Sequence, residues 1–180
     1  MPKKKMSEPT PPKPAQLFFS IFSAREDLIE TAIRELEGCL GPREFESPLL
    51  NFDKTSYYEK EFGGGLVRRF VFFEKLIPQE KIVPIKHLAY KIEKKHSRDG
   101  ARTVNIDPGY LLLERLVLVT FKNFSHRIYL GDYVYAEVTL LFSKGEFQPL
   151  PWTYPDYADP EAQKIFIEAR NRYRDKLKRC

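Results

Sequence analysis

The residues whose types and spacing could do chemistry gather in the second half of the chain. Ser125-His-Arg-Ile-Tyr-Leu130 and Tyr133-Val-Tyr-Ala-Glu-Val-Thr-Leu-Leu-Phe142 flank Gly131-Asp132, a dipeptide suited to closing a two-residue hairpin. In that hairpin Leu130 faces Tyr133, and each step outward pairs residues whose numbers share one sum, which sets His126 opposite Glu137. An imidazole held by a carboxylate has a fixed tautomer, as a general base or an oriented metal ligand requires. A plain cross-strand ion pair, worth roughly 0.2 to 1 kcal/mol, has the same signature. By strand alternation His126, Ile128, Leu130, Tyr133, Tyr135, Glu137 and Thr139 share one face, and Val134, Ala136, Val138 and Leu140 form the apolar core face.

Two further segments could bring polar groups to the same place. Asn105-Ile-Asp-Pro-Gly-Tyr110 reads as a strand end followed by a tight turn, where a rigid element aims a loop carboxylate, Asp107. An aspartate capping its own turn is the alternative. Pro149-Leu-Pro-Trp-Thr-Tyr-Pro-Asp-Tyr157 joins stiff backbone to flat rings, Trp152 and Tyr154, that could stack a base or sugar or simply pack a connector. His126 with Glu137 and Asp107 would suit hydrolysis at a divalent metal, with Arg127 or Arg69 on an anionic group. Asn105, Tyr110, Tyr135 and Asp156 complete the candidate lining. The spacing names neither a particular metal nor a cofactor, and it leaves enzyme or binding protein open.

These groups must be positioned by a recognisable set of elements. Residues 1–15, with five prolines among lysines, read as an extended tail, and residues 16–180 as one domain. Gln16 to Phe22 is a dense apolar run of strand length, and Ser23-Ala-Arg-Glu26 reads as a capping box. Leu28, Ile29, Ala32, Ile33, Leu36 and Leu40 then recur at helical spacing until Gly41-Pro42. A polar aromatic loop with Asn51, Asp53, Tyr57, Tyr58 and Glu61 precedes a strand over 66–74. A second helix spans about 80–95, and Thr103 to Asp107 is a short strand broken by Pro108-Gly109. Residues 111–120 are ambiguous between strand and helix, and Glu114 and Arg115, which interrupt the apolar residues once per turn rather than at every second position, lean the reading to a helix. Asp159 and Pro160 open a C-terminal helix whose inner stripe is Ala162, Ile165, Phe166, Ala169, Tyr173 and Leu177. The order predicts an α+β fold, a two-layer sandwich with a ferredoxin-like βαββαβ half extended by an antiparallel hairpin or meander and a C-terminal helix.

Charge and composition exclude several function classes. The net charge is +5, but the first 15 residues and the last 13 are strongly basic, so the body between them is slightly acidic. Attraction to nucleic acid would therefore come from two end segments, the second of which complements a helix dipole. Two cysteines, Cys39 and Cys180, cannot build a disulfide framework or a zinc site, and Cys39 is expected to be a small buried residue. The N-terminus lacks the apolar stretch of a signal peptide, and no run approaches the roughly 18 apolar residues of a membrane helix. A cytoplasmic protein without a membrane partner is expected.

Six runs carry a family resemblance: Tyr58-Glu-Lys-Glu61, Arg68-Arg-Phe-Val71, Asn105 to Tyr110, Ser125 to Leu130, Ala136-Glu-Val-Thr-Leu140 and Gly145 to Tyr157. In this order they resemble the bacterial domain-of-unknown-function family 4416, over nearly the whole chain after the tail. The resemblance implies no established activity, cofactor or site residue, though members often carry a GTP-binding label. A P-loop needs G-x-x-x-x-G-K-[ST] between strand and helix so that backbone amides cradle phosphates. The chain has none, and Gly63-Gly64-Gly65 reads as a flexible turn. Nucleotide binding would have to use stacking on Trp152 or Tyr154 with Arg68, Arg69 or Arg127 on phosphate.

Three readings follow. The first is a small ligand, anionic or nucleotide-like, bound around the 125–137 hairpin. The second is a nucleic-acid module stacking bases on Phe70 and Phe72, favoured only if that sheet face is open. The third is an interaction or assembly protein. The oligomeric state is open.

Overall fold

Every residue of β1 (Ala15–Ser23) is buried, the condition of a strand covered on both faces, and its unbroken apolar run reads accordingly. The computed structural model describes residues 8–52, 62 and 64–179. The expected loop groups Asp53, Tyr57, Tyr58 and Glu61 lie outside the described residues.

After β1 come α1 (Glu26–Leu40), β2 (Arg43–Glu46), β3 (Leu50–Asn51), β4 (Val67–Ile77), α2 (Ile82–His96) and β5 (Asn105–Leu111). Their sheet order β2-β4-β1-β5, antiparallel throughout, is the expected ferredoxin-like half. The sheet continues through β6 (Arg115–Thr120) and β8 (Val134–Ser143) to β7 (Ile128–Gly131) at the edge, with β9 (Glu146–Pro149) on β8. The inner stripes of α1 and α2 pack on Leu17, Phe19, Ile21, Val71 and Phe73. α3 (Pro160–Leu177) covers the opposite face, burying Ala162, Ile165, Phe166, Ala169 and Tyr173 against Phe18, Phe70, Phe72 and Leu118. Its start is as expected, since the Asp159 carboxylate accepts the Glu161 amide at 2.8 Å. Among the described residues no helix is long and apolar enough to cross a membrane.

Several local expectations are corrected. Ser23 does not cap α1; its hydroxyl accepts the Arg25 amide at 3.0 Å and donates to the Thr103 carbonyl at 2.7 Å, tying the strand end to the segment before β5. Cys39 is exposed, because the last turn of α1 projects past Leu36, its final buried position. Residues 111–120 are not a helix but the end of β5, a tight turn and β6. Leu116 and Leu118 face α3 while Val117 and Val119 face α1 and α2, so the run is apolar at every position and shows no alternation.

Pro108-Gly109 does not break β5. Ile106 N–H donates to the Glu93 carboxylate at 2.6 Å, on the edge turned away from β1. By alternation the missing N–H of Pro108 falls on that same edge, where pairing with β6 has not yet begun. Gly109 passes beneath the Phe18 ring, with no room for a side chain.

The hairpin turn is centred one residue later than expected. Asp132 and Tyr133 have φ of 46° and 64°, the two left-handed residues of a type I′ turn. Gly131 therefore faces Val134, and a bulge at Leu130 then sets Tyr129 opposite Tyr135 and Ile128 opposite Ala136. A second irregularity lies at Thr139, since Val138 opposes Val117 while Leu140 opposes Leu116. This bulge turns Leu140 to the α3 face, away from Val134, Ala136 and Val138.

Candidate functional site

β8 carries Glu137 on the α3 face, opposite Leu118 of β6, which in turn faces Gly109 of β5. The residue is 3% exposed, so its carboxylate must be satisfied from within. His126 Nε2 lies 2.9 Å from Oε2, and Arg127 Nε donates to the same oxygen at 2.7 Å. The expected His126–Glu137 pair forms, but not through the ladder. Residues 124–127 make a turn before β7, closed by the Arg127 amide on the Phe124 carbonyl, and this turn swings both side chains onto Glu137.

The aromatic connector supplies the wall. Between the parts of β8 that pair with β7 and with β9, residues 137–139 have an open edge. Trp152 Nε1 donates to the Val138 carbonyl at 2.8 Å and the Thr153 hydroxyl to the Thr139 carbonyl at 2.5 Å, so the connector fills this gap. The indole then lies parallel to the His126 ring, 4.9 Å between centroids and 9° between planes. Arg127 also donates to the Lys122 carbonyl at 2.9 Å and to the Tyr154 hydroxyl at 3.0 Å. Burial opposes charge on Arg127, but Glu137 overcomes it and holds the guanidinium above its usual range. Burial, reinforced by Glu137, pushes the Tyr154 phenol up.

Asp107 lies on the same sheet face, opposite Ser20 of β1. It does not join the His126 cluster. Its partners are Lys86 Nζ at 3.1 Å and the Asn105 amide at 2.7 Å, and Arg102 in turn donates to Asn105 at 2.5 Å. Burial works against the Asp107 charge, yet Lys86 and Asn105 outweigh it and hold the carboxyl below its ordinary range. Glu93, also buried, is pushed up to about 7 by burial despite the nearby Lys86. Lys86 and Glu93 were not anticipated as site groups. Their signal was present as two charges seven residues apart inside the apolar stripe Ile82, Ile85, Ala89 and Ile92, a spacing that points both into the core.

The other candidates are dispersed. Arg69 alternates with Arg68 and turns to the opposite face, where it pairs with Glu46 at 3.2 Å; it is not part of this site. Tyr110 sits toward the far end of β5, opposite Leu17 and Val117, and is likewise separate. Tyr135 shares the face of Glu137 and packs on Tyr129 at 5.2 Å. Asp156 pairs with Arg68 at a cavity of about 430 Å³ beside the start of α3. Phe70 and Phe72 are buried beneath α3, so the stacking surface that a nucleic-acid module would need is covered. Among the described residues no three His, Cys, Asp or Glu side chains are placed to hold a metal.

Fold and site together define an antiparallel α+β domain whose ferredoxin-like core carries one polar, aromatic-walled sheet face. The chain belongs to the family described as a domain of unknown function (DUF4416), which matches residues 13–173. No curated protein and no solved structure matches it.

Proposed function

We propose that the protein binds a small nucleotide-like ligand, a flat ring bearing an N–H donor and an anionic group, at the Glu137 end of the α3 face. The observation that carries this reading is Glu137 Oε1, which is buried and has no hydrogen-bond partner among the described residues, although Oε2 takes two. A buried carboxylate oxygen left without a donor costs about 1–3 kcal/mol or more, which a ligand N–H would recover. Trp152 and Tyr154, 38% and 42% exposed, offer ring surface beside it. Arg127 uses one N–H on each terminal nitrogen for Lys122 and Tyr154, leaving the other on each for an anionic oxygen. With Nε2 donating to Glu137, His126 keeps Nδ1 as an acceptor, so the same group could take a proton from the bound molecule.

Trp152 is the single tryptophan of the chain, so its fluorescence reports on this site alone. Titration with guanine and adenine nucleotides should give a saturable change in the wild type. Glu137→Gln, which replaces one acceptor oxygen by a donor, should weaken binding at least tenfold, about 1.4 kcal/mol. No response to any nucleotide, or equal affinity in Glu137→Gln with the fold intact, would refute the reading.

A further inference from the structure

The two edges of the sheet are built differently. At one end β2 presents Arg43, Glu44 and Glu46, and these are engaged: Arg43 bonds Glu30 and Glu46, and Lys176 reaches Glu44 at 2.6 Å. Such charges are what keep an edge strand from pairing with another chain. At the other end β7 has no outer strand partner among the described residues, and from Ile128 to Ala136 the only charged residue is Asp132. Ile128 is 71% exposed, Tyr129 56%, Leu130 42% and Tyr133 78%, with Phe124 at 63% beside them. The strand is also held in place, since β8 pairs its inner edge and His87 of α2 bonds the Asp132 carbonyl at 2.9 Å.

From this contrast we infer that β7 is a docking edge for a second copy of this chain, joined antiparallel so that two sheets become one. A two-fold axis perpendicular to the sheet keeps each side chain on its own face, so residues that meet across it must be even steps apart. Centred on Tyr129, the pairing sets the two Tyr129 side chains against each other; the bulge between Tyr129 and Gly131 interrupts alternation at Leu130, so Tyr129 is the residue that fixes the register. An aromatic pair is a favourable cross-strand contact, and an uncharged strand meets its own copy without repulsion. Five exposed side chains of this size bring on the order of 100 Å² each, about 500 Å² per copy before backbone is counted, against about 800 Å² per partner in a standard stable interface.

Sedimentation of the full chain tests this. The wild type should approach twice 21.2 kDa as concentration rises. Tyr129→Lys and Ile128→Lys should each sediment as monomers with unchanged circular dichroism and Trp152 fluorescence. A cysteine probe tests the register: in a Cys39→Ser, Cys180→Ser background, Tyr129→Cys should form a disulfide-linked dimer on mild oxidation and Leu141→Cys, exposed on β8, should not. A wild type that stays monomeric at its highest soluble concentration would overturn the inference. So would a dimer that survives both lysine variants, since its interface would lie elsewhere.

Discussion

Replacing Glu93 by glutamine should stabilise the protein at neutral and alkaline pH and do nothing in acid. Glu93 is buried on α2, its carboxyl is pushed up to about 7 from an ordinary 4.5, and burial is the main cause. A folded-state value above the unfolded one means the native protein prefers the protonated acid. Below about pH 4.5 the side chain is protonated in both states and costs nothing; between 4.5 and 7 stability falls; above about 7 the whole penalty is present. At about 1.4 kcal/mol per pH unit the gap amounts to about 3 kcal/mol. Glutamine never ionises, and its carbonyl can still accept the Ile106 amide that Glu93 takes at 2.6 Å. Urea unfolding of both proteins at pH 4, 6 and 8 isolates the difference, because every other titrating group is common to the pair. The variant should match the wild type at pH 4 and exceed it by about 3 kcal/mol at pH 8, roughly 6–12 °C in Tm for a domain of this size. A difference that does not change with pH, or a less stable variant at pH 8, would refute the assignment of a buried, reluctantly ionised Glu93.

Gly109→Ala should destabilise by about 1–3 kcal/mol or more in urea unfolding, because a Cβ would stand 2.5 Å from the Val117 carbonyl and 2.6 Å from the Phe18 ring. Wild-type stability would show that the strands part there at little cost. Tyr173→Phe should cost about 0.5–1.5 kcal/mol, since it removes the hydroxyl that donates to the Pro14 carbonyl at 2.8 Å; an unchanged midpoint would mean that water replaces this tie.

Much of the architecture was legible along the chain because it rests on local rules. The stripes of α1, α2 and α3, the Asp159 cap and the βαββαβ order follow from spacing and breakers a few residues apart. Where both faces of an element are covered, that signal fails: β6 is apolar from Leu116 to Val119 and shows no alternation, so its spacing leaned to a helix. Pro108 misled for a related reason. A proline ends a strand only if its missing amide was needed, and here that edge is served by the Glu93 side chain, 15 residues earlier in the sequence.

The candidate site was legible in part. His126, Arg127, Glu137, Trp152 and Tyr154 do converge, but the hairpin arithmetic that paired His126 with Glu137 assumed a turn one residue too early. The pair survives because the Phe124–Arg127 turn delivers His126 independently of the ladder. Asp107, Arg69 and Tyr110 lie near His126 in no such way, since strand parity and distance along the sheet send them to other partners.

Residue order by itself determined the kinds and sequence of the elements outside residues 111–120, the aromatic and polar groups that could make a site, and the family. Those properties depend on side-chain chemistry and on neighbours within a turn or two of backbone. Tertiary structure alone decided which face each strand residue occupies, because a single bulge at Thr139 or a turn shifted to Asp132-Tyr133 reverses parity downstream. It also decided the partners of the buried charges, since Lys86 meets Asp107 and Glu93 meets the Ile106 amide, each on another element. The same holds for the edge strand left uncovered at β7, which exists only as the last place in an order the chain assembles across its whole length.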